Sequence, residues 1–284
     1  MRFKSLLIVA ASAAFTLASL GAAPQANAAG IWDKIKDSGV LTCGAMAANP
    51  TGSWAVSGPA KYEGYEINLC RQIALELSKA MGRNIRIDYK ETTWGTVVLD
   101  LQSEKIDIWP GMSETPERLK AIDMAGPMYE LQHCYVNRKG LSGLTKWTDY
   151  SKSDVRIATI TGTSDEDAVR KLSPDANILS FKEAPAAILA VQSGRADAYG
   201  TSAVSCLDIL QKNPDVFGKV VFPEPLYGRP SSAGIRKDGD GRFHEFVNEW
   251  AKGARKDGTI TWLLTDAFEK SGLNVANFPP GLKF

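Results

Sequence analysis

The sequence predicts an α/β protein built as two Rossmann-like lobes, with the chain crossing between them twice. Three observations carry that expectation. From Val40 onward, short apolar strands alternate with amphipathic helices, the signature of α/β layering. The phrase Gln102-Ser103-Glu104-Lys105-Ile106-Asp107 returns as Gln192-Ser193-Gly194-Arg195-Ala196-Asp197, each time where a helix end runs into a strand. The C-terminal stretch 234–284 then goes back to helices, as if returning to an earlier layer.

In chain order, 40–44 reads as a buried strand. Residues 66–81 read as a helix with Cys70, Ile73, Ala74, Leu77 and Met81 on one face and Gly82 closing it. A strand is expected over 84–89, a helix over 94–103 and a strand over 105–109, followed by a long extended run over 125–136. The second set has strands over 154–160, 177–181 and 196–200, with helices over 164–172, 185–193 and 203–211. In the tail, Phe243, Phe246, Val247, Trp250 and Ala254 form one apolar stripe, expected to pack on the first lobe. The natural crossings are the extended runs 131–136 and 227–235. The expected division is therefore 29–133 for the first lobe, 134–228 for the second and 229–284 for the return.

The N-terminus reads as an export signal. Arg2 and Lys4 precede an apolar run over 5–23, and Ala26-Asn27-Ala28 forms an A-x-A cleavage site. An uncleaved anchor is the alternative. A cleaved signal peptide over 1–28 would leave a periplasmic, soluble chain. Its loss removes Arg2 and Lys4 and no acid, taking the net charge from +1 to −1. So neutral a chain gives no electrostatic case for binding nucleic acid or an anionic membrane. The remaining length, about 256 residues, can bury one large core or two medium ones.

Cys43, Cys70, Cys134 and Cys206 match no zinc-ligand spacing. In an oxidising compartment disulfides are possible, with Cys43–Cys70 favoured because a strand and its following helix touch; buried free thiols remain an open alternative. Enzyme signatures are scarce. H-E-x-x-H, G-x-S-x-G, P-loop and G-x-G-x-x-G motifs are all missing, and the two histidines, His133 and His244, read as structural. No cofactor or metal is expected.

Two loops stand out because each precedes a helix. One is Gly111-Met112-Ser113-Glu114-Thr115, with Pro116 at the first helical position and Arg118 beyond it. The other is Thr161-Gly162-Thr163-Ser164. Glycines let backbone N–H groups converge, hydroxyls add donors, and an arginine can grip a carboxylate with two parallel bonds. Ordinary capping by Thr115 and Ser164, and a surface pair of Arg118 with Glu114 or Asp123, are the plain alternatives.

Taken together, GVLTCGA, YEGYEINLCRQIALELS, LQSEKIDIWPGMSETPERLKAID, GPMYE, VRIATITGTSDE, VQSGRADAYGTSAV and GIRKDGDGRFHEFVNEW resemble, in order and spacing, one family. It is the extracytoplasmic solute-binding proteins that serve polar amino acid ABC importers. The resemblance implies a type II periplasmic binding protein fold, two lobes closing on a small ligand, a permease partner in the inner membrane and a monomer. It matches Arg118 to the arginine that clamps the ligand α-carboxylate, Ser113 to a hydroxyl donor and Gly111 to a backbone-contact position. Thr163 and Ser164 match second-lobe donors, Trp94 matches a stacking aromatic, and 49–54, with Trp54, matches a loop that often adds another.

The departures concern the ligand ammonium. Amino-acid binders of this family place an aspartate where this chain has Thr201-Ser202, which makes Ser202 the candidate ligand contact at that position, and another acid where it has Ala45-Met46-Ala47. A buried ammonium without a carboxylate is costly. Either Glu114 or Asp165 substitutes, or the ligand is no ordinary α-amino acid and Trp54, Trp94, Trp109, Tyr129 and Tyr199 offer a cation–π wall. The leading expectation is a periplasmic receptor for a small carboxylate-bearing solute, an amino acid or a compound like one. The alternatives are an exported cleft enzyme of the dehydratase type, using Glu114 as its acid, and an accessory or sensor protein.

Overall fold

The computed structural model describes residues 30–49, 51–58, 61–278 and 281–282. The expected signal peptide over 1–28 lies outside them. Among the described residues no helix is long and apolar enough to cross a membrane.

The first lobe opens with α1 (Ile31–Ser38), which turns through Gly39 at a left-handed φ of 69° into β1 (Val40–Ala45). A small sheet follows, made of β2 (Ala48–Asn49), β3 (Ser53–Ala55) and β4 (Tyr62–Glu63). Then come α2 (Tyr65–Met81), β5 (Arg86–Glu91), α3 (Val97–Gln102), β6 (Ile108–Ser113) and α4 (Pro116–Ala121). The long β7 (Asp123–Arg138) leads into the second lobe. That lobe holds β8 (Arg156–Ile160), α5 (Ser164–Leu172), β9 (Asn177–Phe181), α6 (Ala184–Gln192), β10 (Ala198–Ser202), α7 (Ala203–Lys212) and β11 (Phe217–Val221). The chain returns along β12 (Gly228–Ile235) to α8 (Arg242–Lys256) and α9 (Thr259–Lys270).

The main sheet runs β5-β1-β6-β12-β7-β10-β8-β9, with β11 also on β7. Its two halves repeat one pattern. In each, the first strand is flanked by parallel partners, β5 and β6 around β1, then β9 and β10 around β8. Each trio is bordered by an antiparallel strand, β12 beside β6 and β7 beside β10. Strand β7 changes partners between Gln132 and His133: Gln132 opposes Gly228 of β12, and His133 opposes Ser202 of β10.

The repeated phrase has a structural job. Asp107 accepts the backbone N–H of Thr42 on β1 at 2.8 Å, and Asp197 accepts that of Arg156 on β8 at 2.9 Å. Each aspartate pins the approach of the third strand to the first. The residues just before and at these aspartates are therefore a lead-in. This is why the strands expected over 105–109 and 196–200 occupy Ile108–Ser113 and Ala198–Ser202. Strand β6 runs through Pro110-Gly111 because β12 pairs with it, Ser231 opposite Ser113 and Ser232 opposite Met112. Likewise the strands expected over 84–89 and 154–160 begin at Arg86 and Arg156.

The helix expected from Trp94 starts only at Val97. The Thr93 and Thr96 hydroxyls meet at 3.1 Å and the Thr96 N–H donates to the Thr93 carbonyl, a local turn that competes with the helix. The tail packs against β1 and α2. Phe243, Val247, Ala251 and Ala254 of α8 are buried in one cluster with Leu41, Leu69, Ile73 and Leu263, and Phe246 and Trp250 lie against it half-buried. Each large apolar side chain buried there is worth roughly 1.5–3 kcal/mol. Cys43–Cys70 ties β1 to α2, and a second disulfide, Cys134–Cys206, ties β7 to α7. The free-thiol alternative does not hold, as no free cysteine is present among the described residues.

Candidate functional site

A cavity of about 230 Å³ lies between the two lobes. Nearly every segment in its wall leaves the carboxyl end of a parallel strand, where ligands of open α/β sheets bind. In the first lobe these are Met46–Asn49 after β1, Glu91–Trp94 at the end of β5, and Gly111, Ser113 and Arg118 around the end of β6. In the second they are Thr163–Asp165 after β8, Lys182–Ala184 after β9, and Thr201, Ser202 and Ser205 after β10. Tyr65, Leu131 and Tyr199 add apolar surface.

Arg118 stands at the join. Thr115 caps α4 by accepting the Arg118 N–H at 3.3 Å, which fixes where the side chain starts. The guanidinium donates from Nη1 to the Ser113 carbonyl at 2.9 Å and from Nη2 to the Gly162 carbonyl of the second lobe at 3.1 Å. It lies 5.7 Å from the centre of the Trp94 ring, itself edge-on to Trp109. Arg118 is 7% exposed, and among the described residues no ion pair includes it. The surface-pair alternative with Glu114 or Asp123 therefore does not hold. Burial pushes its pKa down to about 10, opposed by the charges of Asp167 and Asp165. It stays protonated at neutral pH, a buried cation whose hydrogen bonds go to neutral carbonyls.

The TGTS loop sits opposite. Thr163, not Ser164, caps α5, taking the Glu166 N–H at 3.2 Å. The Ser164 hydroxyl is thereby released to donate to the Ser113 hydroxyl across the cleft at 2.8 Å. Gly162 holds a φ of +78°, and a Cβ there would come within 3.3 Å of the Trp94 carbonyl, so the lobes touch at this point.

Seven of the eight residues singled out from sequence line the cavity: Gly111, Ser113, Arg118, Trp94, Thr163, Ser164 and Ser202. Trp54 does not. It is held in the small sheet opposite Ala48 and Glu63, and Ala48 and Asn49 occupy the wall instead. Of the other aromatics, Tyr199 is in the wall, whereas Trp109 is fully buried behind it and donates Nε1–H to the Gly111 carbonyl at 3.1 Å. Tyr129 is buried below, edge-on to Tyr65. Glu114 is outside the wall, where its carboxylate accepts the Ser232 hydroxyl at 2.6 Å. Asp165 is inside it. Ser202 caps α7, donating to the Ser205 hydroxyl at 2.8 Å and accepting the Ser205 N–H at 3.2 Å.

Glu91, Thr92, Thr93, Lys182 and Glu183 were not singled out from sequence. The signal available was positional, since each lies at or just after a strand end like the one that presents TGTS. Behind Gly111, Glu66 is buried with Oε2 accepting from the Asn49 amide at 3.0 Å and Oε1 unpartnered. Burial pushes its pKa well up, only partly opposed by Asn49.

Comparisons with known proteins agree with this architecture. The chain is 27% identical over 205 residues to the ABC transporter glutamine-binding protein GlnH of Bacillus subtilis (strain 168), covering 67% of this chain and 73% of that protein. To the L-cystine-binding protein TcyJ of Escherichia coli (strain K12) it is 25% identical over 232 residues, covering 81% and 83%. Among solved structures, the ancestral amino acid-binding protein AncCDT-1, described as a precursor of cyclohexadienyl dehydratase, superposes with a TM-score of 0.71. The match is at 31% identity over 85% of this chain and 99% of that one. Residues 41–270 match the bacterial extracellular solute-binding proteins, family 3, and the chain belongs to that family, with the two-lobed fold of type II periplasmic binding proteins.

Proposed function

We propose that this chain is the exported receptor of an ABC importer, and that its solute is a small carboxylate-bearing molecule of the amino-acid class. The observation that carries the reading is Arg118. A guanidinium this deeply buried, bonded only to carbonyls and facing a cavity, has no anion in contact with it among the described residues, the charges of Asp167 and Asp165 acting only from a distance. Leaving a charge so placed costs several kcal/mol, and a ligand carboxylate relieves that cost with two parallel hydrogen bonds. The Ser113 hydroxyl, which accepts from Ser164 and keeps its own proton, and the first turn of α5 converge on the same region and add donors.

The lobe division 29–133, 134–228 and 229–284 belongs to this proposal, with β7 and β12 as the hinges. A solute touching Arg118 and the TGTS loop together would favour the closed arrangement, because only closure brings both lobes within reach. The names of the relatives, a glutamine-binding and a cystine-binding protein, support an amino-acid solute. Binding rather than turnover is proposed, since Glu114, the acid the dehydratase-type alternative needed, is engaged outside the cavity.

A thermal-shift screen of the mature chain against amino acids, betaines, opines and small carboxylates tests this. A bound solute at 100 times its dissociation constant stabilises by about 2.7 kcal/mol. The expected hit loses its effect when its α-carboxylate is amidated. A hit that tolerates amidation would overturn the carboxylate assignment.

A further inference from the structure

We propose that Asp165 holds the ligand's ammonium group, so that the solute is a zwitterionic α-amino acid gripped by Arg118 at its carboxylate and by Asp165 at its nitrogen. This rests on the reading of Arg118 given above and deepens it.

The position after β10, Thr201-Ser202, presents no carboxylate, and the Ser202 hydroxyl is committed to Ser205. Asp165 lies beside this gap. It is the second residue of α5, its side chain is only 14% exposed, and it faces the cavity from the second lobe. One carboxylate oxygen, Oδ1, is held by Nδ1 of His133, the β7 residue opposite Ser202. The other, Oδ2, has only a long 3.5 Å contact from the Thr201 hydroxyl and keeps acceptor capacity for a charged donor. Asp165 is also among the charges that act on Arg118, so the two oppositely charged groups face one space.

The other acids are less suited. Glu91 and Glu183 are exposed at the rim, Glu114 is bonded to Ser232 outside the wall, and Glu66 is buried behind Gly111, outside the wall, with Oε2 engaged by the Asn49 amide. The relation of His133 to Asp165 thereby explains a buried histidine on the crossing strand: it orients Oδ1 and leaves Oδ2 to the cavity.

The test compares an amine with a hydroxyl at the same carbon. The twenty proteinogenic L-amino acids are screened, and the strongest is titrated by calorimetry alongside its (S)-2-hydroxy acid. Into the unsubstituted protein, the amino acid is expected to bind about 100-fold more tightly than the hydroxy acid. In Asp165→Asn the amino acid should lose about 100-fold and the hydroxy acid less than about fivefold, so the preference collapses. Native affinity for the amino acid in Asp165→Asn would overturn the proposal. So would equal binding of the two compounds by the unsubstituted protein, a comparison that needs no variant to fold. If that equal binding is abolished by Arg118→Ala, the ammonium assignment fails while the carboxylate reading stands. Binding unaffected by Arg118→Ala fails the carboxylate reading itself.

Discussion

The Ser164 hydroxyl donates to the Ser113 hydroxyl at 2.8 Å, joining the start of α5 in one lobe to the end of β6 in the other. Beside it, the Arg118 guanidinium reaches the Gly162 carbonyl at 3.1 Å. The two lobes are therefore fastened to each other where the solute is proposed to bind, and loss of a fastener should weaken their contact more than folding. Ser164→Ala is expected to lower solute affinity about 5- to 10-fold, the worth of one hydrogen bond of roughly 1 kcal/mol. Its melting temperature should stay within about 2 °C, since Thr163 and not Ser164 caps the helix. Calorimetric titration and thermal melts of the same sample check both halves.

Glu66 carries a pH dependence whose sign follows from its surroundings. Burial raises its carboxyl pKa in the folded protein above the ordinary carboxylate value. Between those two values the folded state keeps a proton that the unfolded state has released, so stability falls as pH rises. Glu66→Gln keeps an acceptor for the Asn49 amide and removes the titration. It is expected to be more stable than the unsubstituted protein at pH 7.5, with the gap shrinking to nothing near pH 4, about where the unfolded carboxyl protonates. Chemical denaturation at the two pH values measures this, and a gap that widened on acidification would contradict it.

The disulfides close loops of different length, with sequence separations of 27 for Cys43–Cys70 and 72 for Cys134–Cys206. By loop-closure entropy, opening them should cost roughly 3.5 and 4.4 kcal/mol respectively. Paired Cys→Ser variants are expected to follow that order in denaturant midpoints. The reverse order would place the larger contribution on native packing around β1 and α2.

Much of this arrangement was legible in the residues, and what was not has identifiable causes. The repeated phrase ending in Asp107 and Asp197 announced two like lobes, because one carboxylate-to-backbone bond serves the same purpose in each. The same phrase misplaced the strands after it, since a pinned lead-in carries strand-like residues without pairing. Helix periodicity put Trp94 in a helix, but the Thr93–Thr96 turn keeps it in a loop against Arg118. Trp54 looked available because its loop matched a pattern, yet pairing with Ala48 and Glu63 holds it out of the cavity wall. Glu114 and Asp165 were indistinguishable as sequence. Only the fold shows one acid turned to Ser232 and the other to His133 inside the wall.

The central claim is that Arg118 is the carboxylate clamp of a solute receptor, and calorimetric titration of Arg118→Ala addresses it most directly. The variant is expected to fold with unchanged or slightly higher stability, because a buried cation with no carboxylate partner is removed along with its desolvation cost. Affinity for the solute that most stabilises the unsubstituted protein should fall at least about 100-fold, the usual loss when one partner of a buried, hydrogen-bonded charge pair is removed. Arg118→Lys should recover little, since an ammonium lacks the two-pronged geometry. Native affinity in a folded Arg118→Ala protein would contradict the claim.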